Sequence, residues 1–253
     1  DIIANVDQDF MEKYKIDIDG ATFVDNETHT KVLNELKQNK TVQSMAGGLT
    51  QNMLRVAQTL SNQKGFTMFL CFALGGDNEY GPLLKEKMIE DGVRMRSVVD
   101  SSRNTTVCGV VIPPDKRRSI IFTESAPSPQ FAKKYNNAFD RDTEAMRLLL
   151  CGDVLYTSAY IFLVSTEMIV RAAKKFLFEN EIDSKRERTR RFALNLAGSY
   201  AIQQTFDSIL SVLPMSGFVF GNEEEFQSFN LVSKEKGKEF IDLSKEKDDD
   251  AEM

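Results

Sequence analysis

The sequence predicts an α/β protein with a doubly wound, mostly parallel sheet flanked by helices. Apolar, β-rich runs alternate with helical patterns along most of the 253 residues, and 42% apolar residues are enough for a sizeable core. Polar loops that contain glycine follow several of the runs, and this fold class binds ligands at the carboxyl ends of its strands. The runs are residues 67–74, 154–160, 192–196 and 218–220.

The segments between these runs show the apolar period of amphipathic helices. Residues 81–91 form one helix, and Gly92 is its expected C-terminal stop. Ser165 is expected to N-cap a second helix. The buried faces of the second and third helices are predicted to be Ile169, Ala172, Ala173 and Phe176, and Ile202, Phe206, Ile209, Leu210 and Leu213, respectively.

Two segments depart from this layered pattern and predict a small β-lid. Residues 1–26 alternate apolar and polar positions without a long helix. Residues 107–112 and 118–123 form a hairpin around a Pro-Pro-Asp-Lys turn. A lid of this kind closes over a substrate and excludes water. The alternative is an ordinary hairpin at the edge of a sheet.

The composition argues against several kinds of partner. A net charge of -6 and a pI near 5.1 predict that nucleic acid is not a partner, because phosphate binding needs clustered cations. The basic run at residues 184–191 is interpreted as a solvated loop. The apolar stretch at residues 148–164 is interrupted by Gly152 and Asp153, so no membrane span is expected. The residues after Phe229 predict a short exposed helix that ends in an acidic tail.

Cysteine and histidine usage limits the chemistry. Three cysteines, Cys71, Cys108 and Cys151, are scattered through apolar segments, which favours reduced thiols in a cytoplasmic protein. The single histidine, His29, lies in a polar segment and is interpreted as a surface residue. Neither a catalytic triad nor a zinc site is therefore expected, and acid-base chemistry falls to a carboxylate.

The segment AGGLTQNMLRVAQ, at residues 46–58, predicts a site for a polar ligand. Gly47 and Gly48 let a ligand ring lie against bare peptide, and the free N-H groups of the following helix face it. We expect Asn52 to point toward this opening. The opposite, buried face of the helix is predicted to be Met53, Val56, Ala57 and Leu60. A tight packing turn is the alternative.

Polar residues also follow other predicted strands. Gly221 precedes Asn222 and Glu225 after the last run, where an amide and a carboxylate can organise Mg²⁺ through water or can simply complement the helix dipole. The turn at residues 75–77 and the loop at residues 195–199 follow two further runs. Several such loops along one sheet edge favour a pocket there.

In order, the chain contains the segments AGGLTQNMLRVAQ, GGDNEYG, the VCGVVI/RSIIFT hairpin, SAYIFLVS, FALNLAGS and FGNEEE. In order and spacing these segments resemble the ribokinase (PfkB) carbohydrate kinase family, and most closely its members that phosphorylate adenosine. The resemblance implies a ribokinase-like fold, with residues 1–28 and 99–130 as the β-lid and residues 29–98 and 131–253 as the large α/β domain. It implies adenosine and ATP with Mg²⁺ as ligands of a monomeric enzyme. The reaction would transfer the γ-phosphate to the ribose 5′-hydroxyl.

The same resemblance implies the substrate contacts, residue by residue. Asp1 matches an acidic residue that hydrogen-bonds the ribose 2′- and 3′-hydroxyls, since one carboxylate can accept from two vicinal hydroxyls. Gly47, Gly48 and Asn52 match the Gly-Gly-Asn group at the ribose. The positions implied around the purine are Cys108, Ile120 and Tyr160, of which Tyr160 could stack on the base.

Further matches concern the nucleotide. Arg118 matches an arginine that reaches from the lid to the transferring phosphate, where a cation stabilises the charge of the transition state. Asn222 and Glu225 match the family's Asn-x-x-Glu motif, which acts on Mg²⁺ and phosphate through water. Asn195 is the further residue implied at the cofactor.

Two features depart from the family's pattern. Leu49 stands where the adenosine-phosphorylating members often have serine. The C-terminal Gly-Ala-Gly-Asp motif, which supplies the anion hole and the catalytic base, is absent from these residues. We therefore expect a fragment of a longer protein that is inactive as it stands. The alternatives are a degenerate homologue that binds a nucleoside or a partner without catalysis, and a kinase for another nucleoside or sugar.

Overall fold

The computed structural model describes residues 1–18, 20–61, 67–76, 80–123, 132–178 and 190–238. The chain forms two compact units, Asp1–Met146 and Arg147–Met253. Several predictions fall outside the described residues: those for the Cys71 side chain, for Asp77, for residues 184–189 of the basic run and for the acidic tail from residue 239.

Strands and helices alternate along both units. The strands are β1 (Ile2–Asn5), β2 (Ala21–Phe23), β3 (Gln43–Ser44), β4 (Met68–Gly75), β5 (Arg94–Asp100), β6 (Gly109–Ile112), β7 (Ser119–Phe122), β8 (Val154–Ser158), β9 (Arg191–Asn195) and β10 (Ser216–Phe220). The helices are α1 (Gln8–Lys13), α2 (Asn26–Lys37), α3 (Leu49–Leu60), α4 (Tyr80–Glu90), α5 (Ala132–Arg141), α6 (Thr143–Cys151), α7 (Thr166–Phe178), α8 (Ser199–Val212) and α9 (Glu223–Glu235).

The first unit contains a five-stranded sheet in the order β2-β7-β6-β1-β3. The predicted hairpin is confirmed as the antiparallel pair β6 and β7, and the Lys116 N-H closes its turn on the Pro113 carbonyl at 2.8 Å. Strand β1 pairs in parallel with β6, and β2 in parallel with β7. Beneath the sheet, α1 and α2 contribute Phe10, Val32 and Leu36 to a core with Ile2 and Ile121.

His29 belongs to this interior, so its interpretation as a surface residue is wrong. Its side chain is only 7% exposed, and its Nε2 atom has no hydrogen-bond partner among the residues that the structure describes. Burial lowers the pKa of His29, although a hydrogen bond to the Val107 backbone opposes the shift. The polar neighbours in sequence misled the interpretation because a helix turns every third or fourth residue inward, and Val32 and Leu36 lie on the same face as His29.

The parallel pair β4 and β5 completes the strands of the first unit. The predicted strand at residues 67–74 corresponds to β4, and the helix predicted at residues 81–91 corresponds to α4. Gly92 ends α4 as expected, with φ at +78° and its N-H bonded to the Ile89 carbonyl at 2.9 Å.

The predicted buried face of α3 is wrong at Val56 and Leu60, whereas Met53 and Ala57 are partly buried. Val56 is 57% exposed and Leu60 is 75% exposed. The buried side chain of this helix is Gln58, whose Oε1 accepts from both the N-H and the hydroxyl of Thr67. Gln58 thus joins α3 to the residue that precedes β4.

The second unit contains a parallel three-stranded sheet in the order β10-β9-β8. All three strands fall on apolar runs that the sequence predicts. Phe192 and Leu194 are buried, and burial of a side chain of this size contributes about 1.5–3 kcal/mol to the stability of the fold. The Ser165 hydroxyl caps α7 through the Met168 N-H at 3.3 Å. Helix α8 buries Ile202, Phe206 and Ile209, as predicted. In the described part of the chain, no helix is both long and apolar enough to cross a bilayer.

Candidate functional site

The carboxylate of Asp1 lies directly against the Cα atom of Gly47. A Cβ atom added to Gly47 would sit 1.9 Å from Asp1 Oδ2 and 2.3 Å from Asp1 Cγ, so a side chain at this position would displace the carboxylate. Backbone bonds hold the two segments together, because the Asp1 backbone nitrogen donates to the Met45 carbonyl at 2.8 Å and the Met45 N-H donates to the Asp1 carbonyl at 3.0 Å. The structure therefore brings together the two places that the sequence predicts at a ribose.

Gly48 has a different role from Gly47. Its φ of +103° is a conformation that L side chains rarely adopt, and it is the N-cap residue of α3 without a capping side chain. By contrast, the side chains of Asp7, Asp25 and Asn222 cap α1, α2 and α9. Gly48 therefore offers no side-chain oxygen to the first N-H groups of α3. Asn52 is exposed in this turn, where its Oδ1 accepts from Arg55 Nη1 at 3.4 Å.

Arg55 contacts the glycine loop in a way that the sequence did not reveal. Its guanidinium pairs with Asp91 at the end of α4 and also donates to the Ala46 carbonyl at 3.4 Å. The arginine therefore links the glycine loop to the end of α4. A pairing across 36 residues has no periodic signal, although Arg55 does stand in the RVAQ stretch that follows the glycines.

The residues that the sequence analysis places in the β-lid lie on or beside the five-stranded sheet. The Cys108 carbonyl accepts from the Ile2 N-H at 2.8 Å, which places Cys108 beside the start of β1 and Asp1. Burial raises the pKa of the Cys108 thiol, so the group stays neutral. Ile120 pairs with Val110 on one side and with Ala21 on the other, and it is half-buried.

Arg118 lies just before β7 with an exposed side chain. Its neighbour Arg117 is neutralised by Asp115, with Nη2 and Oδ2 2.9 Å apart. Arg118 itself makes no hydrogen bond or ion pair with any residue that the structure describes. The hairpin therefore carries a cation that is available to an anionic ligand.

The loop at Gly75 and Gly76 is a packing turn. A Cβ atom on Gly75 would lie 2.0 Å from the Thr105 backbone nitrogen, and one on Gly76 would lie 2.9 Å from the Ser101 Cα atom. The Thr105 hydroxyl also accepts from the Gly75 N-H at 2.9 Å. Because these glycines have no side chains, two backbone segments can pack closely at the turn. Such a purely structural role is compatible with the composition of the turn.

Beside this turn, Asp100 is a buried carboxylate at the end of β5. It accepts from the Ser102 and Tyr135 hydroxyls, each at 2.6 Å, and Lys134 Nζ lies 3.3 Å away. These donors, Ser102 first, hold the pKa of Asp100 well below its usual range. The ionised group fastens the chain that leads from β5 toward the hairpin.

In the second unit, Asn195 stands at the carboxyl end of β9. Its Oδ1 accepts from the Ala197 N-H at 2.8 Å, while Ala197 has φ at +65°. Gly198 follows with φ at +127° and begins α8 without a capping side chain. A Cβ atom on Gly198 would lie 3.0 Å from the Tyr160 hydroxyl, so the glycine leaves room for that partly exposed ring.

Asn222 and Glu225 form a capping box at the start of α9. The Glu225 N-H donates to Asn222 Oδ1 at 2.8 Å, and the Asn222 N-H donates to Glu225 Oε2 at 3.0 Å. The two residues therefore stabilise the start of α9, which is one of the two roles that the sequence analysis considers for them. The structure's described residues include no group of three or more His, Cys, Asp or Glu that could hold a metal. Because Glu225 Oε1 makes no bond within the capping box, the pair fits Mg²⁺ held through water rather than by a full set of protein ligands.

Comparison with known proteins assigns the chain to a family. The pfkB family carbohydrate kinase model matches residues 15–246. Adenosine kinase 1 of Arabidopsis thaliana is 28% identical over 232 residues, and adenosine kinase of Dictyostelium discoideum is 26% identical over 226 residues. These matches cover 92% and 89% of this chain. The chain spans 62% and 61% of the two relatives' lengths.

Solved structures share the fold. The adenosine kinase of Anopheles gambiae, in complex with P1,P4-di(adenosine-5) tetraphosphate, aligns with a TM-score of 0.78 at 24% identity, covering 93% of this chain and 68% of that one. An adenosine-bound adenosine kinase of Schistosoma mansoni aligns with a TM-score of 0.76 at 19% identity, covering 92% and 62%. The predicted ribokinase-like fold class is thereby confirmed. On the strength of the match over residues 15–246, the chain belongs to the pfkB family of carbohydrate kinases.

Proposed function

We propose that the protein is an adenosine kinase, which transfers the γ-phosphate of ATP to the 5′-hydroxyl of adenosine in purine salvage. The observation that carries the proposal is the Asp1 carboxylate held against the bare Cα of Gly47. Family membership and relatives named adenosine kinase support it. The cytoplasmic location and the monomeric state expected from the sequence stay predictions.

Residues of the first unit would bind the nucleoside. The Asp1 carboxylate can accept hydrogen bonds from both the 2′- and the 3′-hydroxyl of a ribose, which fixes the orientation of the sugar. Gly47 and Gly48 offer peptide without side chains, and Asn52 offers a further polar group in the first turn of α3. Cys108, neutral because its thiol pKa is raised, and Ile120 would supply apolar contacts to the purine. The stacking of Tyr160 on a purine stays a prediction from the sequence.

The phosphates would be bound by cations and polar side chains. Arg118 carries a charge that can stabilise the transferring phosphoryl group. Asn195 would donate to a phosphate oxygen, while Asn222 and Glu225 would hold Mg²⁺ through its waters. When bound, Mg²⁺ neutralises part of the phosphate charge. A carboxylate that deprotonates the 5′-hydroxyl is not among these residues.

A binding experiment separates the proposal from the sugar-kinase and other-nucleoside alternatives. We expect calorimetric titration of the chain to show tighter binding of adenosine than of guanosine or ribose, because both base and sugar contribute contacts. Leu49, exposed at the first position of α3, is the observation that keeps the alternatives open. Equal affinity for ribose and adenosine would contradict an adenosine site.

A second candidate is binding without catalysis by a polypeptide of these 253 residues, which contain no Gly-x-Gly-Asp sequence. We predict that a polypeptide of these residues forms no AMP from adenosine and ATP. Robust AMP formation would mean that another carboxylate of the chain acts as the base. A mass of the natural protein above 28.6 kDa would instead favour a complete kinase with further residues.

A further inference from the structure

The side chain of Arg55 extends from α3 toward the loop that precedes this helix. Its Nη1 atom donates to the Ala46 carbonyl and to Asn52 Oδ1, each at 3.4 Å. In a helix the Cα–Cβ bond is tilted toward the N-terminus, so the side chain of Arg55 lies over the turn that contains Asn52. One guanidinium nitrogen therefore contacts both the backbone before the paired glycines and the polar side chain after them.

Asp91 holds the other side of the guanidinium. Its Oδ2 atom pairs with Arg55 Nε, and the two side chains are only 25% and 27% exposed, so solvent screens the pair less than it screens a surface pair. Asp91 directly follows α4, where the helix dipole disfavours a negative charge, and Lys87 Nζ lies 3.7 Å from its other oxygen. Because Nε is bound to this carboxylate, Nη1 is presented at a defined place.

A second contact holds the same face of α3. Gln58, three residues after Arg55, accepts from the N-H and the hydroxyl of Thr67 at 2.8 and 2.9 Å. A Cβ atom added to Gly92 would lie 3.4 Å from Gln58 Cγ, so Gln58 also packs beside the end of α4. Residues three apart lie on one face of a helix. Arg55 and Gln58 together fix the rotation of α3, and with it the direction in which Asn52 leaves the first turn.

The chemistry of the arginine decides which way the Asn52 amide faces. A guanidinium carries only donors, so the atom that it contacts is the amide oxygen. The amide nitrogen donates to no residue that the structure describes, and it keeps two protons for a ligand. Asp1, beside Gly47, can only accept when it is ionised. A ribose hydroxyl both donates and accepts, so it suits a loop that has an acceptor on one side and a donor on the other.

We propose that Arg55 is a positioning residue that orients the Asn52 amide, with its oxygen held by the guanidinium and its nitrogen left to donate to a hydroxyl oxygen of the ribose. This inference rests on the proposed function, which makes a nucleoside the ligand of the glycine loop. It assigns to Arg55 no contact with the nucleoside itself.

A double-mutant cycle measured by calorimetry shows whether Arg55 acts through Asn52. Adenosine is titrated into the wild type, Arg55→Lys, Asn52→Ala and the double variant. Lysine keeps a positive charge for Asp91, but a single ammonium group lacks the fork that also reaches the loop and the amide. We expect Arg55→Lys to weaken adenosine binding roughly fivefold to tenfold in the wild-type background. When Asn52 is already alanine, the same change should weaken binding by less than about twofold.

Nuclear magnetic resonance of the ligand-free chain gives a second readout. The side-chain amide peaks of Asn52 are assigned by their loss in Asn52→Ala, and they should move in Arg55→Lys because the amide oxygen loses its donor. Arg96→Lys is the matched control. Arg96 also pairs with an aspartate, Asp142, with Nη2 and Oδ2 2.7 Å apart, and in the described part of the chain it makes no bond to the glycine loop. It should change neither the Asn52 peaks nor the adenosine affinity.

The outcomes distinguish this inference from the proposed function. If the wild type binds adenosine and Arg55→Lys binds it equally well, the inference is wrong and the proposed function stands. Equal losses of affinity in both backgrounds, or Asn52 peaks that do not move in Arg55→Lys, would also overturn the inference alone. A wild type that does not bind adenosine would contradict the proposed function, and the inference with it.

Discussion

Single glycines in this chain have distinct physical requirements. Gly47 needs the absence of a side chain because the Asp1 carboxylate occupies the space of its Cβ atom, whereas Gly48 needs a positive φ. The two neighbours are therefore not interchangeable. Substituting each one tests a different property of the proposed ribose site.

Gly47→Ala should weaken adenosine binding by roughly tenfold or more, because a methyl group would push the Asp1 carboxylate away from the sugar. Calorimetry with adenosine measures the effect. Gly152→Ala is the matched control, since a Cβ atom there would meet its nearest neighbour at an ordinary 3.5 Å. If both variants bound adenosine equally well, Asp1 would not act through its place beside Gly47.

Asp100 gives a prediction about pH at the same scale. Its lowered pKa means that it stabilises the fold above the ordinary aspartate pKa of 3.8, and that this contribution is lost as the pH falls through the lower folded-state value. Ser102→Ala removes one donor, which should reduce the free energy of unfolding by about 1–2 kcal/mol at pH 7. The difference from the wild type should persist while folded Asp100 stays ionised, and should shrink only as the pH falls through its lowered folded-state pKa.

Urea unfolding at a series of pH values measures this effect. Ser211→Ala is the control, because the Ser211 hydroxyl donates to the Ser208 carbonyl rather than to a carboxylate. Its effect should not change with pH. A difference between Ser102→Ala and the wild type that stays constant even as the pH falls through the folded-state pKa of Asp100 would contradict the role given to Asp100.

At the scale of elements, the helices differ in how their N-termini are capped. Helices α1, α2 and α9 carry capping side chains, whereas α3 and α8 begin at glycines with positive φ. The capped starts gain stability from their own side chains. At α9 the capping residues are also the ones proposed to act on Mg²⁺, so the two roles must be separated.

Asn222→Ala should lower the free energy of unfolding by about 1 kcal/mol, because the Glu225 N-H loses its acceptor. Asn222→Ser keeps a capping oxygen and should stay within a few tenths of a kcal/mol of the wild type. Thermal unfolding gives the stabilities, and titration with MgATP gives the binding. A serine variant that is as stable as the wild type and binds MgATP equally would restrict Asn222 to capping.

At the scale of the whole molecule, the sequence predicts those strands that are marked by continuous apolar runs. Strands β4, β8, β9 and β10 and the hairpin β6–β7 follow from such runs and from the turn at residues 113–116. Strand β5 was missed because Arg94 and Arg96 interrupt its apolar positions, and Arg96 instead pairs with Asp142. Local composition does not reveal a partner 46 residues away.

Contacts that the local composition does not show also explain the errors about His29 and α3. His29 is buried by its helical phase, and α3 exposes Val56 and Leu60 while burying Gln58. The sequence does predict that Asp1 and the paired glycines belong to one place, through the family resemblance. It does not predict Arg55, whose importance depends on a contact with Asp91 across 36 residues.

Calorimetric comparison of adenosine with 2′,3′-dideoxyadenosine, in the wild type and in Asp1→Ala, tests the central claim most directly. If Asp1 binds the ribose hydroxyls beside Gly47, the wild type should prefer adenosine by roughly tenfold or more, and Asp1→Ala should lose most of that preference. Asp9→Ala, an exposed aspartate in α1, should keep it. A wild type that binds both ligands equally, or an Asp1→Ala variant with the full preference, would contradict the account.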